Sequence, residues 1–115
     1  MNTSDCIFCR ILAGEVESQI RYRDEKVFVI EDIEPKAPIH LLIIPVIHKL
    51  DINVDDEQDL VLLGSMVHRA GDMAIKEGIE KSGYRLVINQ GSNAGQVVPH
   101  LHMHLLGGAS LAGMA

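Results

Sequence analysis

The chain has 115 residues, 47% of them apolar, and a formal net charge of −6, which fits one domain, 1–115, with a core large enough to fold without staples. The negative balance argues against wrapping a nucleic-acid backbone, so any bound phosphate must be held locally by backbone N–H groups and imidazoles. No apolar run approaches the roughly 18 residues of a membrane span, and Met1 to Asp5 lacks a basic segment leading into an apolar one, so no membrane partner and a cytoplasmic location are expected.

Residues 5–13 pattern as a short helix, with Asp5 as cap, a stripe of Ile7, Phe8, Ile11 and Leu12, and a stop at Gly14. The helix carries Cys6-Ile7-Phe8-Cys9. A disulfide is disfavoured in a reducing compartment, and a thioredoxin-type redox pair normally follows a strand. Half of a zinc site and two incidental buried thiols both remain open.

A weak strand is expected over 20–23, a polar turn at 24–26, and a strand rich in β-formers over 27–32. Pro35 and Pro38 keep 34–39 extended. The continuous apolar run in 40–45 predicts a central strand buried on both faces, ending at Pro45, with His48 in the loop beyond. A long helix follows, capped by Asn53 or Asp55 and helped by acids at 55–57. Its buried stripe is read as Leu60, Leu63, Val67, Ala70 and Ala74, its stop as Gly78 or Gly83, and His68 as a surface residue. A strand over 84–89, a polar loop bearing Gly91 and Gly95, and a last strand suggest an antiparallel hairpin. The core then spans about 5–106, and the small-residue tail 107–115 is expected to be mobile unless it docks. Five short strands with one long helix between the third and fourth predict an α+β fold with a mainly antiparallel sheet.

The last strand is the chemical centre. His100-Leu101-His102-Met103-His104-Leu105-Leu106 holds half of the six histidines at i, i+2, i+4. With a side-chain period of two, an extended chain puts Leu101, Met103 and Leu105 on one face and the three imidazoles on the other. Burying three imidazoles side by side without use costs desolvation and risks unpaired nitrogens. A zinc hydrolase with an open coordination position is possible, but it leaves the cysteines without a role. A neutral imidazole can instead attack phosphorus, turning one hard displacement into two easier ones. The Gly95-Gln96 amides at the mouth of this strand suggest a small anion nest.

These residues resemble the histidine triad (HIT) family, whose motif is His-φ-His-φ-His-φ-φ. The resemblance extends through Cys6 to Ile11, Asp32 to Pro38, His40 to Pro45, Gly83 to Asn89 and Gly95-Gln96, and Leu106-Gly107-Gly108 is similar to the purine nucleoside phosphoramidase (HINT-like) branch. Dinucleoside polyphosphate hydrolases of the family typically carry Pro-Arg after the triad.

The resemblance implies an enzyme that cleaves purine nucleoside 5′-phosphoramidates or related adenylates. It implies His102 as the nucleophile forming a nucleotidyl-imidazole, His104 as a phosphate ligand, and His40 as a second histidine near the catalytic one. Asn89, Gly95 and Gln96 would complete the phosphate site, Asp32 would bind the ribose hydroxyls, and Ile7, Phe8, Ile11, Ile30 and Ile33 would form the slot for the base. Where animal relatives carry a serine near the leaving group this chain has Val97, which implies slower turnover or an altered amine preference. Zinc-bearing bacterial and archaeal relatives imply a closed structural zinc site at Cys6, Cys9, His48 and His100. A homodimer is also implied, built on the long helix and a central strand, although the helix stripe could equally be internal core. The alternatives are a nucleotide-binding or scaffold module with vestigial hydrolysis, or a dinucleoside polyphosphate hydrolase.

Overall fold

The alternating and continuous apolar runs assemble into one antiparallel sheet with a helix against each face. The computed structural model describes residues 5–113. In chain order these form α1 (Ile7–Leu12), β1 (Ile20–Arg23), β2 (Val27–Glu31), β3 (Ile39–Pro45), α2 (Glu57–Lys76), β4 (Tyr84–Val87), a 3-10 turn (Ser92–Ala94) and β5 (Met103–Gly107). The strand order is β1-β2-β3-β5-β4 with every neighbouring pair antiparallel, as the α+β reading expects. β3 is the middle strand and is buried on both faces, which its unbroken apolar run dictates. No helix among the described residues is long and apolar enough to cross a membrane. Residues 1–4, searched above for a signal segment, and the last two tail residues lie outside the described residues.

The side-chain period of two divides the core. Val27, Val29, Leu41, Ile43, Leu101, Met103 and Leu105 meet α2 on one face. Phe28, Ile30, Leu42 and Ile44 meet Cys6, Phe8 and Ile11 of α1 on the other. The histidines at 102 and 104 alternate with the first set, so they emerge on the α1 side. Regular pairing begins only at Met103, and His100 to His102 form the approach to the strand. β4 likewise ends at Val87, before Ile88 and Asn89, because its partner β5 begins opposite at Met103–His104.

Three helix details depart from the expected pattern. Cys6, not Asp5, caps α1, its Sγ accepting from the Cys9 amide. Asp56, not Asn53 or Asp55, caps α2 by accepting from the Gln58 and Asp59 amides. Asn53 instead organises the preceding turn, accepting from the amides of Asp55 and Asp56. The buried stripe of α2 is Asp59, Met66, Ala70, Met73 and Ala74, while Leu60 and Val67 are exposed. Asp59 sets that rotation, because its carboxylate is buried against Lys49 Nζ at 2.9 Å and the Asn53 amide at 2.8 Å. Gly78, at φ +74°, ends the helix: its amide bonds Ile75 O and the Ile79 amide bonds Ala74 O. His68 is exposed, as expected.

The long loop between β3 and α2 is anchored where it matters for His48. Val46 N donates to Lys26 O, Leu101 N to Lys49 O, and Ile52 N to Gln90 Oε1. At the other end Arg85 Nη1 donates to Ala112 O at 3.3 Å, so the described part of the tail is docked.

Asp56→Ala removes the α2 cap and is expected to cost about 1 kcal/mol in urea unfolding at unchanged m-value. Asp55→Ala, which loses no cap bond, is expected to cost less than half of that.

Candidate active site and metal centre

The apolar stripe of α1 does not close onto the sheet at its far end, and a cleft of about 400 Å³ remains there. Ile7, Phe8 and Ile11 line it from α1, Ile30 from β2, and Asp32 and Ile33 from the β2–β3 connection. Asn89, Gly95 and Val97 line it from the β4–β5 connection, and His102 and His104 form its polar end. The structure therefore brings together every residue expected at a nucleotide site except Gln96 and His40. It adds Glu31, Glu34, Lys36, Leu42 and Val98, which sequence reasoning did not single out. Leu42 lies opposite His104 in the β3–β5 register, and a strand-pairing argument can find it.

Gln96 is a loop organiser. Its side chain accepts from the Gly91 amide and donates to the carbonyls of Leu50 and Val98. The expected nest is also corrected: the Gly95 amide bonds Ser92 O and the Gln96 amide bonds Gly91 O, so neither faces the cleft. The 3-10 turn at 92–94 uses those donors itself, and the Val97 amide has no acceptor among the described residues.

Hydrogen bonds fix the imidazole tautomers. The Lys36 amide donates to His40 Nδ1 at 2.9 Å, so the neutral His40 ring carries its proton on Nε2. That Nε2–H faces His104 Nδ1 at 2.8 Å, which places the His104 proton on its own Nε2. Asp32 Oδ2 lies 3.4 Å from the same His40 nitrogen. Burial, with the His102 and His40 rings adding, pushes His104 down to about 4; burial also lowers His40, opposed by the Asp32 charge. Both rings are thus neutral at pH 7. His102 is set oppositely: Nδ1–H donates to the His100 carbonyl at 2.8 Å, leaving Nε2 with a free lone pair. Phe8 packs edge-on against both His100 and His102, with ring centroids 5.6 and 5.1 Å apart.

His100 belongs to a second site. It is 1% exposed, and its Nε2–H donates to Pro45 O at 2.9 Å, so Nδ1 is bare. That nitrogen lies 3.2 Å from Cys6 Sγ and 3.7 Å from Cys9 Sγ, and Cys9 Sγ lies 3.2 Å from His48 Nδ1. The four donors lie within 4.8 Å of one another. Tetrahedral zinc, with bonds of about 2.0–2.3 Å, needs donors roughly 3.3–3.8 Å apart. The three Cys–His separations of 3.2–3.7 Å are close to that, two thiols and two imidazoles are a donor set that suits zinc, and the Pro45 carbonyl supplies the outer bond that usually orients a ligating histidine. Burial, with Cys6 adding, pushes the Cys9 thiol up to about 11, a balance that a thiolate-binding metal reverses.

The chain matches the HIT domain model over residues 13–111. It is 43% identical over 110 residues to the purine nucleoside phosphoramidase of Escherichia coli (strain K12), covering 96% of this chain and 92% of the relative. It is 40% identical over 113 residues to a 14 kDa zinc-binding protein of Zea mays, covering 96% and 88%. Among solved structures, a HIT family hydrolase of Legionella pneumophila Philadelphia 1 superposes with a TM-score of 0.88 at 42% identity, covering 94% of this chain and 96% of that one. Fold, cleft and relatives together define a hydrolase. The chain belongs to the HIT family.

The neutral state of His104 has a stability consequence. The unfolded chain protonates this imidazole near 6.5, the folded one only near 4, so the unfolded state binds more protons between those values. Stability is expected to fall as pH drops from about 6.5 toward 4, and the His104 ring signals in an NMR titration should stay unshifted down to about pH 5.

Proposed function

We propose that this enzyme hydrolyses purine nucleoside 5′-phosphoramidates or related adenylates through a nucleotidyl intermediate on His102. The observation that carries the proposal is the 2.8 Å bond from His102 Nδ1–H to the His100 carbonyl, which leaves Nε2 as the lone-pair nitrogen lining the cleft. The name of the Escherichia coli relative supports the substrate class.

In this reading the base lies among Ile7, Phe8, Ile11, Ile30 and Ile33, and Asp32 accepts from the ribose hydroxyls. His102 Nε2 attacks phosphorus and forms an N–P bond. The bond to the leaving amine breaks, and the amine departs with the electron pair and one proton taken up from the medium. Water then cleaves the N–P bond, giving the nucleoside monophosphate and restoring both the imidazole and the proton. His104 Nε2–H, with the Val97 amide and Asn89, stabilises the oxygen charge that grows in both steps. His40 acts as a positioning residue, because its Nε2–H holds His104 in the donor tautomer. Val97 supplies no side-chain hydrogen bond to the departing amine, and its side chain is 89% exposed at the cleft.

Zinc, in the same reading, is held by Cys6, Cys9, His48 and His100. With four protein ligands it supplies a structural cross-link between α1, the loop after β3 and the approach to β5. The reading also includes a homodimer. Leu60, Gly64, Val67, Gly71 and Ile75 form an apolar strip along the outward side of α2, where Leu60, Val67 and Ile75 are exposed and Gly64 leaves open space.

Replacing His102 with alanine is expected to lower kcat on adenosine 5′-phosphoramidate by at least roughly 10³-fold with folding intact. Hydrolysis at the parental rate would remove the mechanism. Val97→Ser is expected to raise turnover severalfold, and unchanged kinetics would discount a role for this position. Freshly purified protein is expected to hold close to one zinc per chain by elemental analysis, and Cys6→Ser to lose both metal and several degrees of Tm. Less than half an equivalent, with normal folding of the variant, would contradict the metal assignment.

A further inference from the structure

The charged lining of the cleft is acidic apart from one residue. Glu31, Asp32, Glu34 and Lys36 line it, so three carboxylates accompany one lysine among the described lining residues. Glu31 is held by Arg21 Nη1 at 2.5 Å, and Asp32 accepts from the Glu34 amide and lies 3.4 Å from the His40 ring. Lys36 is tethered by its main chain, whose amide bonds His40 Nδ1. That bond places the residue beside the reacting imidazoles and away from the apolar slot of α1. Its ammonium donates to the Glu34 carbonyl at 3.2 Å and forms no ion pair with a described carboxylate, so two of its three N–H groups remain for a ligand. The charge is close enough to act on the relay: burial is the main cause of the lowered proton affinity of His40 and His104, and Lys36 lowers both further.

In-line displacement sends the leaving group away from His102, toward the open mouth of the cleft. The exposed lining residues outside the base slot include the apolar Val97, 89% exposed, and Lys36. A plain amine leaves that ammonium unused. A leaving group that ends in an anion reaches a charge-assisted contact in an otherwise anion-repelling cleft.

We propose that Lys36 Nζ is a specificity-determining group that binds an anionic terminus on the leaving group, so that the preferred substrates are nucleotide conjugates carrying a second anion, a carboxylate or a phosphate. This inference rests on the hydrolase reading of the same cleft. A single charge-assisted contact at an exposed site changes kcat/KM by roughly two- to fivefold.

The test compares adenosine 5′-phosphoramidates of ethylamine, glycine and 2-aminoethyl phosphate in the parent, Lys36→Gln and Lys36→Arg. Both variants keep the main-chain bond to His40. The ratio of kcat/KM for an anionic conjugate to that for the ethylamine conjugate is expected to fall about two- to fivefold in Lys36→Gln and to recover in Lys36→Arg. A fall confined to the glycine or the aminoethyl phosphate conjugate identifies the anion. Ratios within twofold of the parental ones for both conjugates overturn the proposal. If the parent cleaves none of the three, the reaction assignment has failed, and Lys36 is then judged by calorimetric binding of AMP and ADP. Tighter binding of ADP that Lys36→Gln abolishes supports the role; no preference, or one that survives the substitution, overturns it.

Discussion

The hydrogen bond from His102 Nδ1–H to the His100 carbonyl is the constraint on which the rest depends. It fixes a tautomer, and it does so through the backbone of a residue whose side chain is committed elsewhere. His100 turns its Nδ1 to the two cysteines and gives its other proton to Pro45 O. The approach to β5 is thereby pinned to the end of β3 on one side and to α1 on the other. Because α1 is capped by Cys6, carries Cys9 and supplies the apolar wall of the cleft, the proposed metal bracket and the proposed nucleotide slot meet at one short helix. Phe8, wedged edge-on against the rings of both His100 and His102, is the packing contact that makes these two sites a single unit.

Proton placement at the catalytic end follows from burial. His40 and His104 are held neutral mainly by desolvation, and a neutral imidazole can donate from only one nitrogen. A chain of donors starting at the Lys36 amide therefore decides which nitrogen of His104 faces the cleft. In the proposed reading an acidic protein addresses a phosphate through such oriented N–H groups, without a field of positive charge.

Strict alternation made the division of the last strand legible: Leu101, Met103 and Leu105 enter the core with α2, and the intervening histidines leave it. The continuous run from His40 to Pro45 likewise announced a central strand. Less legible were features decided by tertiary partners. Leu60 to Leu63 are four apolar residues in a row, so periodicity could not say which face of α2 is buried; the Lys49–Asp59 pair settles it. Three acids in succession offered several caps, and only the Asp56 side chain reaches the first free amides. A glycine loop looked like an anion nest until its own 3-10 turn consumed the donors at Gly95 and Gln96. Lys36 was invisible as a site residue because its position follows from a main-chain bond to a histidine four residues away, which composition and spacing do not encode.

Covalent nucleotidylation of His102, as proposed, is open to a direct test by trapping the adduct. Parent enzyme mixed with excess adenosine 5′-phosphoramidate, quenched within milliseconds and digested at a pH that preserves phosphoryl-imidazole bonds, is analysed by peptide mass spectrometry. The expected result is a nucleoside monophosphoryl group on the peptide containing His102, localised to that residue, rising and decaying in step with turnover. Full turnover with that peptide unmodified at every time point, or with the group on His104 or His40 instead, would contradict it.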